Sequence, residues 1–283
     1  MYNAASKLTV AAALAAAVIL GGCKSESERR AERAEAMRIE AETLAASGDY
    51  EQSLALLDSI DSAYHEQTAV RRKAMATRAT AIEARSLRQI GPADSLLAAS
   101  QLRADSLGVL FVYVDGPRGL EGHYVARELK GHDVTDGTGI EPRVDAQGYL
   151  SIAAVAKGRR IGLNSMSATT GAGTWRVEPV SGERSINSEG TELTSFRQEE
   201  VTDIMQAIEA AGDGPVKIHL DGSRGSVEVK LTPALRTALV RSWRYAMARQ
   251  QLRSAQIERE RLERTLQTAR DHRANAPVEA PAE

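Results

Sequence analysis

Val109-Leu110-Phe111-Val112-Tyr113-Val114, stopped by Asp115-Gly116-Pro117, is where the chain changes its period. Before it, apolar residues recur every three or four positions, as on a helix. From Val109 they form a block of β-branched and aromatic residues closed by turn formers, which marks a strand. Further strands are expected at 124–129, 142–144, 149–155, 161–168 and 174–178. Val144-Asp145-Ala146-Gln147-Gly148-Tyr149 reads as a hairpin turn, and Ala156-Lys157-Gly158-Arg159-Arg160 as another. Short strands this close together imply a small antiparallel sandwich or barrel. Residues 198–211 carry Val201, Ile204, Met205 and Ile208 on one helical face. Residues 216–220 and 226–231 read as a hairpin across Asp221-Gly222-Ser223-Arg224-Gly225. The segment 109–231 is therefore expected to be a mainly antiparallel, β-rich α+β domain.

Downstream, Thr232-Pro233 supplies an N-cap followed by proline at the first helical position. No proline or glycine follows until past Arg270, so 232–272 reads as one long helix, its run to about Arg270 covering about 57 Å at 1.5 Å per residue. Tyr245, Ala248, Leu252, Ala255, Leu262, Leu266 and Ala269 form a thin a/d seam with Arg259 at one a position. A seam of this kind needs a partner helix. The stripe around Met37 is the nearest partner in the chain, and a homodimer through the C-terminal helix competes with it. Residues 273–283 read as a disordered proline-alanine tail.

Upstream, 23–108 reads as helical. Ala34, Met37, Ala41 and Leu44 line a first helix, Gly48-Asp49-Tyr50 breaks it, and Leu54, Leu57 and Ile60 line a second. This pair resembles a single tetratricopeptide repeat, with small Ala41 and Ser53 at packing positions and no closing proline. No second copy follows at a 34-residue period, so an isolated αα-hairpin is expected rather than a solenoid. A third helix, about 67–89, is expected to expose Arg71, Arg72, Lys73, Arg78, Arg85 and Arg88, and to end at Gly91-Pro92. A fourth, 92–107, is expected to bury Leu96, Leu97, Leu102 and Leu107.

At the N-terminus, Lys7 precedes 13 residues, 8–20, that are apolar except for Thr9. A membrane span takes about 20, so the stretch fits a secretory h-region. It ends in Leu20-Gly21-Gly22-Cys23, and Cys23 is the only cysteine. An ordinary signal peptide or a buried helix with an incidental cysteine would also contain such a run. The arrangement resembles the lipobox of bacterial lipoproteins. That resemblance implies removal of the signal peptide 1–22, acylation of Cys23 by palmitate-type chains, and a membrane lipid as the chain's first partner. More than one acyl chain is enough for stable anchoring. Lys24-Ser25-Glu26-Ser27-Glu28 resembles the surface-export signal of Bacteroidota lipoproteins; a polar tether is the plainer reading. Attachment to the outer membrane, on its periplasmic or cell-surface side, is expected.

The remaining chemistry is sparse. The segment after residue 22 has 35 basic and 38 acidic residues, net −3, and an exported chain of that balance is not a nucleic-acid binder. With no second cysteine it has neither disulfide nor CxxC site. His123, His132, Asp133 and Asp136 match no metal-ligand spacing, and no cofactor is expected. Gly222-Ser223-Arg224-Gly225 is a turn rather than a nucleophile elbow, and Gly171-Ala172-Gly173 lacks the third glycine of a dinucleotide loop. No catalytic residue is assigned. Eighteen acids lie between Val109 and Leu231, which keeps a carboxylate-based hydrolase open. The C-terminal helix holds ten arginines against four acids, so Arg236, Arg241, Arg244, Arg249 and Arg253 read either as a solvated face or as a stripe for an anionic polymer. Trp175 and Trp243 are the only indoles that could stack on a sugar, and core packing is the simpler role for each.

The whole pattern resembles uncharacterised envelope lipoproteins of Bacteroidota. The expectation is an α+β, non-catalytic, membrane-anchored lipoprotein whose helical stalk presents a β-rich domain to an envelope protein or polymer. An envelope hydrolase, a glycan-binding adhesion module and a scaffold subunit are the alternatives.

Overall fold

The computed structural model describes residues 25–116, 121–158, 160–179, 184–187 and 190–275. Cys23, the lipobox and the tail beyond 275 lie outside the described residues. The chain makes two compact units. One takes its described residues from 25–89 and 262–275; the other lies in Ile90–Arg261.

In the first unit, helix α1 spans Glu26–Ser47. Ser25 caps it: its Oγ accepts the Glu28 N–H at 3.2 Å, and the Glu28 carboxylate accepts the Ser25 N–H at 2.8 Å. The acidic stretch after Cys23 is thus helical from Glu26, with Glu28 part of the cap. Gly48, at φ 88°, ends α1 in the left-handed region. Helix α2 spans Tyr50–Ala63 and packs back on α1 as the expected hairpin. Ala41, Leu57, Ile60 and Ala74 form the buried core, with Met37, Leu54, Leu56 and Val70 around it.

Helix α3 runs unbroken over Thr68–Gly108 with Pro92 inside it, which corrects the expected break into two helices. Proline removes one helical hydrogen bond and crowds the carbonyl four residues back. Here both Pro92 and Arg88 are exposed, so water can satisfy the freed carbonyl. Ala81 and Ser86 before the proline, and Ser100 and Ala104 after it, are buried and hold the helix on both sides. The expected leucine face is corrected in part: Leu107 packs, partly buried, against the core of the second unit and Leu97 is half-buried. Leu102 is 72% exposed and Leu96 48%, and the small residues take the packed side. Nor is the basic side of α3 wholly free. Arg71 meets Asp61 at 3.2 Å, Arg78 meets Asp58 at 2.5 Å and Asp61 at 2.9 Å, and Arg85 meets Glu51 at 2.9 Å, forming a ladder onto α2.

Helix α5, Pro233–Ala274, is the expected long C-terminal helix. It packs with the N-terminal helices: Leu262, Leu266 and Ala269 are buried, and Arg270 and Arg273 hold Glu83 of α3 at 3.1 and 2.6 Å. The a-position Arg259 likewise pairs with Asp94 of α3. So the ion pairs of the seam run to α3, while Met37 serves the core formed with α2.

The second unit holds two antiparallel sheets that share one hydrophobic core. Its strands are β1 Phe111–Val114, β2 His123–Ala126, β3 Gly139–Asp145, β4 Leu150–Ala156, β5 Leu163–Thr170, β6 Gly173–Val177, β7 Arg184–Ile186, β8 Glu192–Arg197, β9 Val216–Gly222 and β10 Gly225–Val229. One sheet has the order β1-β2-β3-β4-β8-β7 and the other β10-β9-β5-β6. The hairpins at 144–149 and 221–225 form as expected. Segment 156–160 is not a hairpin, because β4 pairs with β3 and β8 while β5 belongs to the other sheet. Strands β7 and β8 had no counterpart in the sequence reading. Helix α4, Gln198–Ala210, packs on strands of both sheets with Val201, Ile204, Met205 and Ile208 buried. The first turns of α5 add Leu235, Ala238, Leu239 and Trp243 to the same core. Among the described residues no helix is long and apolar enough to cross a membrane.

Candidate functional site

Buried charge is rare in a core, and among the described residues Glu192 is the most deeply buried acid. Glu192 opens β8, and pairing with Ala156 turns it to the same face as Thr194 and Phe196. Its carboxylate is fully buried. It accepts the Gly162 N–H at 3.1 Å and the Leu163 N–H at 2.6 Å, and lies 3.3 Å from the half-exposed Arg224 guanidinium. Arg224 in turn donates through Nε to the Arg160 carbonyl at 2.8 Å. Gly162, at φ +72°, has no room for a Cβ because Ser223 occupies the space. The result is a clasp: one acid of the six-stranded sheet stitches the start of β5 and the β9–β10 turn to it. The desolvation cost of the carboxylate is offset by donors on both oxygens.

A second buried acid, Glu141 on β3, pairs with Arg143 at 2.6 Å. Glu141 stands opposite Ala153, whereas Glu192 stands opposite Ala156, so alternation along β4 sends the two carboxylates to opposite faces. These two acids cannot act as a pair on one substrate.

The five arginines of α5 singled out by sequence have distinct surroundings. Arg236 donates to the Gly212 carbonyl, Arg241 pairs with Glu128, and Arg244 holds Glu209 at 2.6 Å. Arg249 donates to the Ala146 carbonyl at 2.6 Å and lies 5.0 and 5.7 Å from the ring centres of Tyr124 and Tyr245. Tyr245 stacks on Phe111 at 4.4 Å, and Tyr124 meets both Tyr245 and Tyr113 edge-on. Arg249 therefore fills an aromatic cage and ties the β3–β4 turn to α5. Gln250 reinforces the tie by donating to the Gly148 carbonyl at 2.8 Å. Arg253 is exposed. Four of the five are engaged with their own chain.

His123 and Asp133 do not share a site. His123 lies on β2, where burial, and then the Arg143 guanidinium, lower its pKa. Asp133 caps a short 3-10 turn, where the Thr135 hydroxyl and N–H hold its carboxyl below the usual range. Among the described residues no three His, Cys, Asp or Glu side chains converge as a metal site would need. Trp243 is buried in the core and Trp175 packs partly against it. Ser223 sits in the β9–β10 turn with its N–H on the Gly162 carbonyl. A surface groove of about 430 Å³ in the first unit is lined by Glu42, Ala45 and Ala46 of α1 and Ala76, Thr77, Thr80 and Ala84 of α3.

Glu192 escaped the sequence reading because a lone acid in an alternating segment looks like a solvent-facing residue. The usable signal was non-local: Gly162 and Gly222 are the positions that let the backbone close around it. No family model, curated protein or solved structure matches the chain.

Proposed function

We propose that the chain is a non-catalytic envelope lipoprotein, held in the outer membrane by acyl chains on Cys23, whose helical region carries a β-rich interaction domain. The observation that carries this reading is Leu20-Gly21-Gly22-Cys23 at the end of 13 nearly uninterrupted apolar residues, with no other cysteine in the chain. It is supported by where the polar chemistry of the second unit goes. Glu192, Glu141, Arg236, Arg241, Arg244 and Arg249 are engaged in internal contacts that build the fold. The partner is an envelope protein or polymer.

Expression of the full chain in a Gram-negative bacterium fed a clickable palmitate analogue tests the anchor. The wild-type chain takes up the label and sediments with membranes. Cys23→Ser abolishes the label. An unlabelled wild-type chain, or a Cys23→Ser chain that still takes up the label, overturns the reading.

A further inference from the structure

The two sheets have four edges, and one differs from the rest. Strand β6 carries Thr174 and Arg176, β10 carries Ser226 and Glu228, and β7 is only 3 residues long, so each of these edges is either charged or short, which discourages pairing. Strand β1 reads Phe-Val-Tyr-Val, has no charge and, among the described residues, is hydrogen-bonded on one side only, to β2. Its surroundings are apolar and open: Val109 is 65% exposed, Tyr113 48% and Val114 42%. An uncharged, exposed edge is what a further strand needs in order to add to a sheet.

The charges at the two ends of β1 say which strand. Arg127 donates through Nε to the Val109 carbonyl at 2.6 Å, which places an exposed guanidinium at the strand's beginning. No carboxylate pairs with it among the described residues. Asp115, exposed and without a basic partner among the described residues, follows the strand's end. A strand with a cation at its start and an anion at its finish is complementary to its own antiparallel copy.

We propose that β1 is a homodimer interface, with two copies pairing β1 to β1 about a two-fold axis. Centred on Val112, which then lies opposite its own copy, the pairing sets residue 111 of each copy opposite 113 of the other and 109 opposite 115. Arg127 of each copy then faces Asp115 of its neighbour, giving two ion pairs, one at each end. The two six-stranded sheets join into one of twelve strands. The interface is isologous, as a closed dimer requires. It is distinct from the α5 seam, whose arginines are engaged with α3, and it does not depend on acylation.

Sedimentation equilibrium of the Cys23→Ser chain, with and without a mild detergent, tests the proposal apart from the membrane reading. The chain dimerises reversibly. Asp115→Arg turns both ion pairs repulsive and weakens the dimer roughly tenfold or more. Arg127→Glu does the same, and the double change Asp115→Arg with Arg127→Glu restores dimerisation because the charges exchange across the axis. Asp115 bonds nothing else among the described residues, so its replacement leaves the thermal unfolding of the monomer in place. Three outcomes each overturn the proposal: a chain monomeric up to about 100 µM, dimerisation unmoved by Asp115→Arg, or dimerisation lost with Leu252→Asp in the α5 seam but kept in Asp115→Arg. A monomer that instead captures an extended peptide along β1 also overturns it and assigns the edge to another partner.

Discussion

Glu192 has exchanged water for two backbone amides and one arginine, and the strength of that exchange can be measured. Glu192→Gln keeps the shape but offers an amide where a second acceptor is needed. Stability to urea is expected to fall by about 1–3 kcal/mol, because one backbone N–H is left facing a donor. Glu192→Ala is expected to fall further, by about 3–5 kcal/mol, since Arg224 and both amides then lose their acceptor. A change below about 0.5 kcal/mol in both, the range of an ordinary surface site, would show that the clasp bears no strain of the fold. His123 makes a prediction in pH. Burial lowers its pKa in the folded chain, so between that lowered value and the unfolded value of about 6.5 the unfolded chain binds more protons. Its contribution is therefore complete above about pH 6.5 and is lost as the pH falls through that window. His123→Gln should flatten this part of the stability profile, and an unchanged slope between pH 5 and 7 would point to other groups. Residue-scale chemistry of this kind was poorly legible in the sequence. Neither the burial of Glu192 nor that of His123 follows from its neighbours along the chain.

Helices α3 and α5 show why elements were read more accurately than their faces. The 3.6-residue period located the helical segments, and the change at Val109 located the first strand within two residues. Hydrophobicity alone then misassigned the sides of α3, because alanine and serine fit closely packed neighbours while Leu96 and Leu102 were left outside. The contrast is testable. Leu262→Asp, buried in α5, is expected to cost about 3 kcal/mol or more through an unpaired buried charge. Leu102→Asp, on the open side of α3, should stay within about 0.5 kcal/mol. Equal effects on the denaturation midpoint would contradict this assignment of faces. Strand β8 was missed for the converse reason. Its buried positions read Glu192, Thr194 and Phe196, so the alternation that marks a strand carried almost no hydrophobic contrast.

At the scale of the molecule, both long helices pass uninterrupted through the boundaries of the compact units, α3 between Gln89 and Ile90 and α5 between Arg261 and Leu262. Neither unit can melt at these boundaries without opening helical turns and leaving their backbone groups unpaired. Trp175 and Trp243 both report on the second unit, whereas helical ellipticity reports on both. The two signals are therefore expected to share one thermal midpoint. An earlier loss of ellipticity at constant fluorescence would reveal a first unit that unfolds alone. The sequence made the α+β class and the N- and C-terminal helices legible, since each depends on local periodicity. The placement of strands in two sheets, and of unit boundaries inside helices, depends on contacts between distant residues and had no local trace.

The Ser25 cap sets a length. Only Lys24 separates Cys23 from Ser25, the residue that caps α1. With lipid on Cys23 as proposed, the leash between acyl chains and first helical turn is about 7–11 Å even if fully drawn out, of the same order as one headgroup layer. Such an anchor leaves α1 almost no freedom to drift from the bilayer. Lengthening it, by inserting glycine-serine repeats after Lys24, would change reach without changing any contact in the fold.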